Sequence, residues 1–346
     1  MGTHVIEAGF PVNSRTEFEA VRDIARTADA TVAGLARVVP EDVEAALDAE
    51  VDMVHLFCST SDVQLADSMH CSRSQAKARS VEAVERVADE GVEVMFSPMD
   101  ATRTEESFLV EVVEAVSREG VDWINVPDTC GVATPGRFRE LVETVTDHTD
   151  ARVDVHTHDD FGLAAANALA GFEGGADRAQ VSVNGVGERA GNAAYEEVVM
   201  ALESVYDVDT GIDTTGIATV SETVAAKSGV TVPVNKPVVG DNAFAHESGI
   251  HAAGVIENAD TFEPGVMTPE MVGADREVVL GKHAGAHSVR ERLVEVGYDP
   301  TDEEVRAVTR RVKERGAQGQ VTGEDLERIA RETGVDVAGG DPANAD

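Results

Sequence analysis

The run Ala151-Arg152-Val153-Asp154-Val155-His156-Thr157-His158-Asp159-Asp160-Phe161-Gly162-Leu163-Ala164-Ala165-Ala166 passes from a β-branched strand through a polar corner into a small-residue helix. A strand that ends in polar residues and feeds a helix is one unit of a parallel α/β sheet, and the chemistry of such sheets collects at strand ends. Side chains alternate along a strand, so His156 and His158 point the same way. Two imidazoles offered together suit one divalent metal ion. Taken alone, the same pair would serve as well as a solvated or hydrogen-bonded couple, and the wider context has to separate the two.

Working outward, the alternation repeats. Strand patterns run over Val5 to Phe10, Thr31 to Ala36, Met53 to Cys58, Val92 to Phe96, Trp123 to Val126, Val153 to His156 and Ala179 to Val183, each followed by a helix-like segment. Helix starts are marked by Ser14, by Thr134-Pro135 and by Asn192 before the segment running to Tyr206. The expected fold is an α/β TIM (β/α)8 barrel lacking its first βα unit, followed by a mostly helical C-terminal region. A Rossmann-like open sheet would need no eighth unit, but no Gly-x-Gly-x-x-Gly follows an early strand.

The expected domains are a barrel over 1–206, a linker and helical subdomain over 207–260, a helical C-terminal subdomain over 261–336, and a disordered acidic tail over 337–346. Helices are expected at Thr268 to Val272, His287 to Val296, Asp302 to Arg315 and Gly323 to Thr333.

The chain of 346 residues is 42% hydrophobic, enough for a large core, and carries a formal charge of −37. Lysine occurs only at Lys77, Lys227, Lys236, Lys282 and Lys313. Such a surface repels nucleic acid and anionic membranes, so neither is expected as a partner. Acidic residues scattered along helices fit adaptation to molar salt, where self-repulsion is screened, better than an acidic tail for a basic partner. Cys58, Cys71 and Cys130 are odd in number and widely spaced, which reads as reduced thiols in a cytoplasmic protein. No apolar run approaches the roughly 20 residues of a membrane span.

Val153-x-x-His156-x-His158-Asp159-Asp160-x-Gly162-x-Ala164-x-Ala166 resembles the second signature of the 2-isopropylmalate, citramalate and homocitrate synthases. Four further blocks stand in the family's order: Ile6-Glu7-Ala8-Gly9-Phe10-Pro11, Val126-Pro127-Asp128-Thr129-Cys130-Gly131, Asn184 to Ala193, and Phe244 to His251. The resemblance implies a metal-dependent barrel that condenses acetyl-CoA with a 2-oxo acid and then releases CoA by hydrolysis. A 2-oxo acid chelates a divalent ion through its carboxylate and carbonyl, and His156 and His158 would leave coordination positions open for it.

By the same resemblance Asn192 is a further metal ligand, although a helix N-cap is its plain structural role. Gly185, Gly187 and Gly191 form the loop beside acetyl-CoA, with Glu188-Arg189 an ion pair that shapes it. Arg103 resembles the arginine that meets the substrate carboxylate, with a surface arginine as the alternative. Thr129 resembles a substrate-contacting hydroxyl, or else a turn cap. Glu7 matches a catalytic glutamate at the barrel mouth. His251 resembles the histidine that reaches into a partner subunit's barrel, which implies a homodimer; a hydrogen-bonded histidine in a helical linker is its plain reading, as it is for His246. Substrate size would be read near His55, Phe57 and Ser59.

The family's first strand carries Leu-Arg-Asp-Gly-x-Gln, with an aspartate metal ligand and an arginine, and this chain has no such stretch. Met1 therefore reads as a start inside the barrel, with a unit of roughly 30 residues expected upstream. Thr157 and Asp159 favour 2-isopropylmalate or citramalate synthesis over homocitrate synthesis. The alternatives are an acyl-CoA lyase or aldolase on the same barrel, and a non-catalytic paralogue. Zn, Mn and Mg all fit a mixed histidine and oxygen site.

Overall fold

The computed structural model describes residues 1–244, 266–274, 280–319 and 321–337, and they fall into two compact units, Met1–Asp213 and Thr214–Asp346. His246 and His251 lie outside the described residues, as does 338–346.

In the first unit seven strands form one parallel sheet in sequence order: β1 (Val5–Gly9), β2 (Thr31–Arg37), β3 (Met53–Ser59), β4 (Glu93–Met99), β5 (Trp123–Asp128), β6 (Arg152–Thr157) and β7 (Arg178–Gln180). Helices follow the strands: α1 (Arg15–Thr27), α2 (Pro40–Asp48), α3 (Asp62–Asp67), α4 (Arg73–Ala88), α5 (Glu106–Ser117), α6 (Pro135–Thr146), α7 (Ala164–Glu173) and α8 (Tyr195–Ser204). Ser14 caps α1 as its sequence suggests, accepting from the Glu17 N–H at 3.1 Å. β7 is shorter than its pattern because Val183–Gly185 turns, with Asn184 at φ +61°. Asn192 is not a helix cap: α8 starts at Tyr195 and its N-cap is Ala194.

Alternation sorts the strand residues onto two faces. Val32, Val54, Leu56, Phe96, Ile124, Val126 and Val155 pack with Val21, Val43, Val84, Val112 and Phe138 of the helices in one buried cluster. Each such side chain contributes roughly 1.5–3 kcal/mol by leaving water. On the opposite, inner face Ala33, Met53, Met95 and Trp123 gather with Val5. Arg178 on β7 reaches the Met95 sulfur at 3.4 Å and the Met53 sulfur at 4.0 Å, so the sheet curls into a half-barrel around this inner layer. β1 and β7 are the sheet's two edges. A cavity of about 640 Å³ lies between them, walled by Val5 and Glu7, by Arg178 and Gln180, and by Tyr195 of α8.

The second unit is mostly helical: Ile217–Ser228, Ala286–Glu295, Asp302–Gly316 and Gly323–Thr333. Thr301 with Glu304, and Thr322 with Asp325, form capping boxes at the last two helices. Leu280, Val289, Leu293, Val308, Val312, Leu326 and Ile329 make its core. The segment expected as a helix at Thr268 to Val272 is one 3-10 turn, Pro269–Val272. No described helix is long and apolar enough to cross a membrane.

Candidate active site

Two residues beyond the apolar inner layer, toward the C-terminal strand ends, the inner face turns polar: Glu7 on β1, His55 on β3, Ser97 on β4, Asn125 on β5, His156 on β6 and Gln180 on β7. The period of two that buries Val54 and Leu56 against helices sends these side chains into the barrel. His55 is 4% exposed, and both its ring nitrogens are engaged. Nδ1 bonds the Glu7 carboxylate, and Nε2 lies 2.6 Å from Ser97 Oγ. A carboxylate can only accept, so Nδ1–H donates to Glu7, while Nε2 and the Ser97 hydroxyl form the second hydrogen bond of the ring. Enclosure in the barrel would raise the Glu7 carboxyl, yet the His55 imidazole beside it holds it below the usual carboxylate range.

His156 Nε2 and His158 Nε2 are 3.1 Å apart. Burial, reinforced by His158, pushes the His156 imidazole down to about 4, so it stays neutral and its lone pair is available to a metal. His158 is also lowered, by burial and then by the Arg189 charge. His158 is paired with Asn192 in an antiparallel bridge flanked by the bonds Ala193 N–H to Thr157 C=O, 3.0 Å, and Asp159 N–H to Gly191 C=O, 2.9 Å. That makes His158 and Asn192 a non-hydrogen-bonded pair, the arrangement that brings two side chains together on one face. The Asn192 Oδ1 is buried with no hydrogen-bond partner, as are Nδ1 of His156 and Nδ1 of His158.

These donors fit a divalent ion. Two imidazole nitrogens each about 2.1 Å from one ion stand about 3 Å apart at ordinary bond angles. The orphaned Asn192 oxygen is the further donor such an ion would satisfy. Among the described residues no group of three His, Cys, Asp or Glu side chains could hold a metal, and the group beside the histidine pair is the Asn192 amide.

The Asn192 loop depends on glycine at three points. A Cβ on Gly191, at φ +102°, would sit 2.0 Å from the Gly185 carbonyl oxygen, and one on Gly187 would sit 2.9 Å from the Asn192 carboxamide. Gly185 has φ +69°. All three glycines are thus needed to fold the loop onto Asn192, whatever else approaches it.

The guanidinium of Arg103 is engaged by its own loop: Nε and Nη2 donate to Asp100 at 2.8 and 2.7 Å. Asp100 is fully buried in the left-handed region at φ +68°, also takes the Ser61 hydroxyl, and donates its N–H to Thr129 Oγ1 at 2.8 Å. Arg189 pairs chiefly with Asp160, at 2.9 and 2.8 Å, and only loosely with Glu188, at 3.8 Å. This corrects the expected internal Glu188–Arg189 pair: Glu188 points to solvent, 86% exposed.

Several interior groups escape a motif-led reading. Asp154 is fully buried and accepts from Arg178 Nε at 2.8 Å, and Arg178 stacks 3.7 Å from the Trp123 ring centre. Burial raises the Asp154 carboxyl against the pull of Arg178. Asp128 is a fully buried hub that accepts from Thr102, Val132, Ala133 and Asn167. The signal for Ser97, Asn125, Asp154 and Gln180 was a polar residue at inward register inside an apolar strand.

Seven parallel strands with a polar inner layer at their C-terminal ends, and a histidine pair among them, define an α/β-barrel enzyme. The chain belongs to the HMGL-like family, whose model matches residues 1–224; a second model, homocitrate synthase post-HMGL domain-like, matches residues 238–320. It is 51% identical to a probable 2-isopropylmalate synthase of Methanopyrus kandleri over 92% of this chain and 64% of that protein. A homocitrate synthase of the same organism is 45% identical over 96% of this chain and 83% of its own length. The chain spans 64 to 66% of the length of the first 2-isopropylmalate synthases it matches. Among solved structures, it is similar to an HMG-CoA lyase from Acinetobacter baumannii in complex with coenzyme A and 3-methylmalate, with TM-score 0.60 and 25% identity over 67% of this chain and 82% of that one.

Proposed function

We propose that this chain carries the catalytic barrel of a 2-isopropylmalate synthase, joining the acetyl group of acetyl-CoA to 2-oxoisovalerate and releasing CoA. The observation that carries the reading is the pair of imidazole nitrogens 3.1 Å apart, with His158 bridged through its backbone to Asn192, whose side-chain oxygen has no partner, in a family whose named relatives are 2-oxo-acid synthases. His156, His158 and Asn192 would hold a divalent ion, Zn, Mn or Mg, with positions left for substrate. When bound, that ion would supply Lewis-acid polarisation of the 2-oxo carbonyl.

The chain's own residues do the rest of the positioning. His55 and Ser97 fix the Glu7 carboxylate, which lines the cavity in its ionised form and can accept a proton there. Arg103, with Nη1 left over from its Asp100 fork, is the cation placed to meet the substrate carboxylate, and Thr129 orders the same loop. The Gly185–Gly191 loop would take the acyl-CoA side. The proposal includes a homodimer in which His251 works in the partner's site, and a cytoplasmic, salt-adapted protein.

The test is release of free thiol from acetyl-CoA in molar salt with 2-oxoisovalerate, pyruvate and 2-oxoglutarate in turn. Release that requires a 2-oxo acid and a divalent ion, and is fastest with 2-oxoisovalerate, is expected. A preference for pyruvate or 2-oxoglutarate would move the assignment to citramalate or homocitrate synthesis. Carbon–carbon cleavage of a 3-hydroxyacyl-CoA, without condensation, would make the chain a lyase. Neither condensation, cleavage nor ion binding would leave a non-catalytic paralogue. Mixing His251→Ala with His156→Ala chains tests the dimer, since shared sites would regain activity that neither chain has alone.

A further inference from the structure

We propose that Arg189 is a positioning residue: its guanidinium clamps three strand-end loops together and so fixes His158 against Asn192. The inference rests on the metal-site reading above for its consequence, but its geometry stands apart. Arg189 sits in the tight turn that begins at Gly185 and closes on Asn192, where Gly191 N–H bonds the Glu188 carbonyl at 2.9 Å and Asn192 N–H bonds that of Gly185 at 3.1 Å. Its Nε and Nη2 grip both Asp160 oxygens, two residues beyond His158, at 2.9 and 2.8 Å. Nη2 also donates to the Thr129 carbonyl at 2.8 Å. One side chain thereby joins the loops after β5, β6 and β7.

Two further observations show that these loops are built to close on each other. A Cβ on Gly131 would lie 2.8 Å from Asp160 Oδ2 and 2.9 Å from the His158 carbonyl, so the β5 loop already touches the His158 loop at the limit of contact. Arg189 itself is held at φ +55°, a conformation that arginine adopts only when its surroundings impose it. A planar fork on a carboxylate supplies that imposition, and a lysine, with a point charge, would not. The backbone bridge puts His158 opposite Asn192. The Arg189 fork stops the two loop tips from sliding along or away from that bridge.

The experiment compares Arg189→Ala, Arg189→Lys, Asp160→Ala and the Arg189→Ala/Asp160→Ala double variant with Arg137→Ala, which removes a pair to Glu140 from the exposed surface of α6. Hydrogen exchange of residues 158–162 and 185–192 is read in the full chain, with Zn2+ affinity measured by competition against a chromophoric chelator. Faster exchange confined to those two segments is expected in Arg189→Ala, with the double variant no worse than either single one. Zn2+ affinity should fall about 10- to 100-fold, the usual effect of disturbing the groups that support metal ligands. Arg189→Lys should lie between wild type and Arg189→Ala, and Arg137→Ala should change neither. Unchanged exchange in both segments, or faster exchange throughout the barrel, would overturn the clamp. If the wild-type chain binds no Zn2+, Mn2+ or Mg2+, the proposed function falls, and the exchange data still decide the clamp.

Discussion

The outer and inner faces of the seven-stranded sheet are made by alternate residues of the same strands, yet they obey different rules. The outer face is valine, leucine and phenylalanine sealed under helices, with Val32, Val54, Leu56, Phe96, Ile124 and Val155 all at 0% exposure. The inner face begins apolar at Met53 and Met95 and, one inward position on, carries Glu7, His55, Ser97, His156 and Gln180. Stability therefore resides on one side of each strand and chemistry on the other, about one residue away. A buried polar group costs stability unless it is bonded, so the inner face persists only because its members satisfy one another, as Glu7, His55 and Ser97 do. Asn192 Oδ1 is one of the buried atoms left without a partner, and it lies across the backbone bridge from His158, where a ligand is wanted.

This division can be broken by substitution. The largest effect is expected for His156→Ala, which removes an inner-face donor without touching the helix-packed core. Affinity for divalent ions should fall by more than about 100-fold, beyond what outer-shell changes cost, while the unfolding midpoint of the metal-free chain barely moves. Titration against a chelator and a thermal melt on one preparation check both halves. A large fall in the metal-free melting temperature would mean the inner face also carries the fold.

Phe96→Ala makes the opposite cut, on β4. It empties a fully buried outer-face position and should cost about 3–5 kcal/mol, read as a lower denaturant midpoint. Ion affinity of the folded fraction should stay within twofold of wild type. Ser97→Ala, one residue along and on the inner face, takes away only a hydroxyl, leaving His55 Nε2 without its partner. We expect about 1–3 kcal/mol of destabilisation and a turnover number that falls more than KM rises, because Glu7 loses its fixed support. Equal effects of Phe96→Ala and Ser97→Ala on ion binding and turnover would erase the distinction between the faces.

The outer face was legible from the sequence because a parallel sheet covered by helices writes itself as repeated apolar runs, and all seven runs became strands. The His156 and His158 pair was legible for a related reason, since a period of two fixes their common direction. What could not be read was everything set by contacts between distant strands. Nothing near His55 announces that its ring lies between Glu7, 48 residues before it, and Ser97, 42 after it. Arg103 stood out as a cation for a substrate carboxylate or else as a surface arginine, and neither reading shows that a fully buried Asp100 three residues away occupies its fork. Asn192 fits a cap motif locally, and only its pairing with His158 takes it elsewhere. Arg189 looked to Glu188, its neighbour in the chain, while its real partner was Asp160 on another loop. Local rules found elements and directions; partners across the barrel needed three dimensions.

The smallest expected signal sharpens the contrast from the sealed side. Cys58 lies on the outer face of β3, 2% exposed, and burial pushes its thiol up to about 11. At pH 8 about one molecule in a thousand would then carry the reactive thiolate, even before access is considered. Cys71 and Cys130 are only partly buried. A maleimide or iodoacetamide pulse on the native chain, read by peptide mass spectrometry, should label Cys71 and Cys130 while leaving Cys58 untouched. Cys58 should become labelled only at the rate at which the barrel opens globally, and Phe96→Ala should accelerate that rate because both side chains belong to the same packed layer. His156→Ala should leave it unchanged. Labelling of Cys58 as fast as Cys71 in the folded protein would show that the helix-covered face admits solvent, and the separation of a stable side from a reactive side would fail at its simplest point.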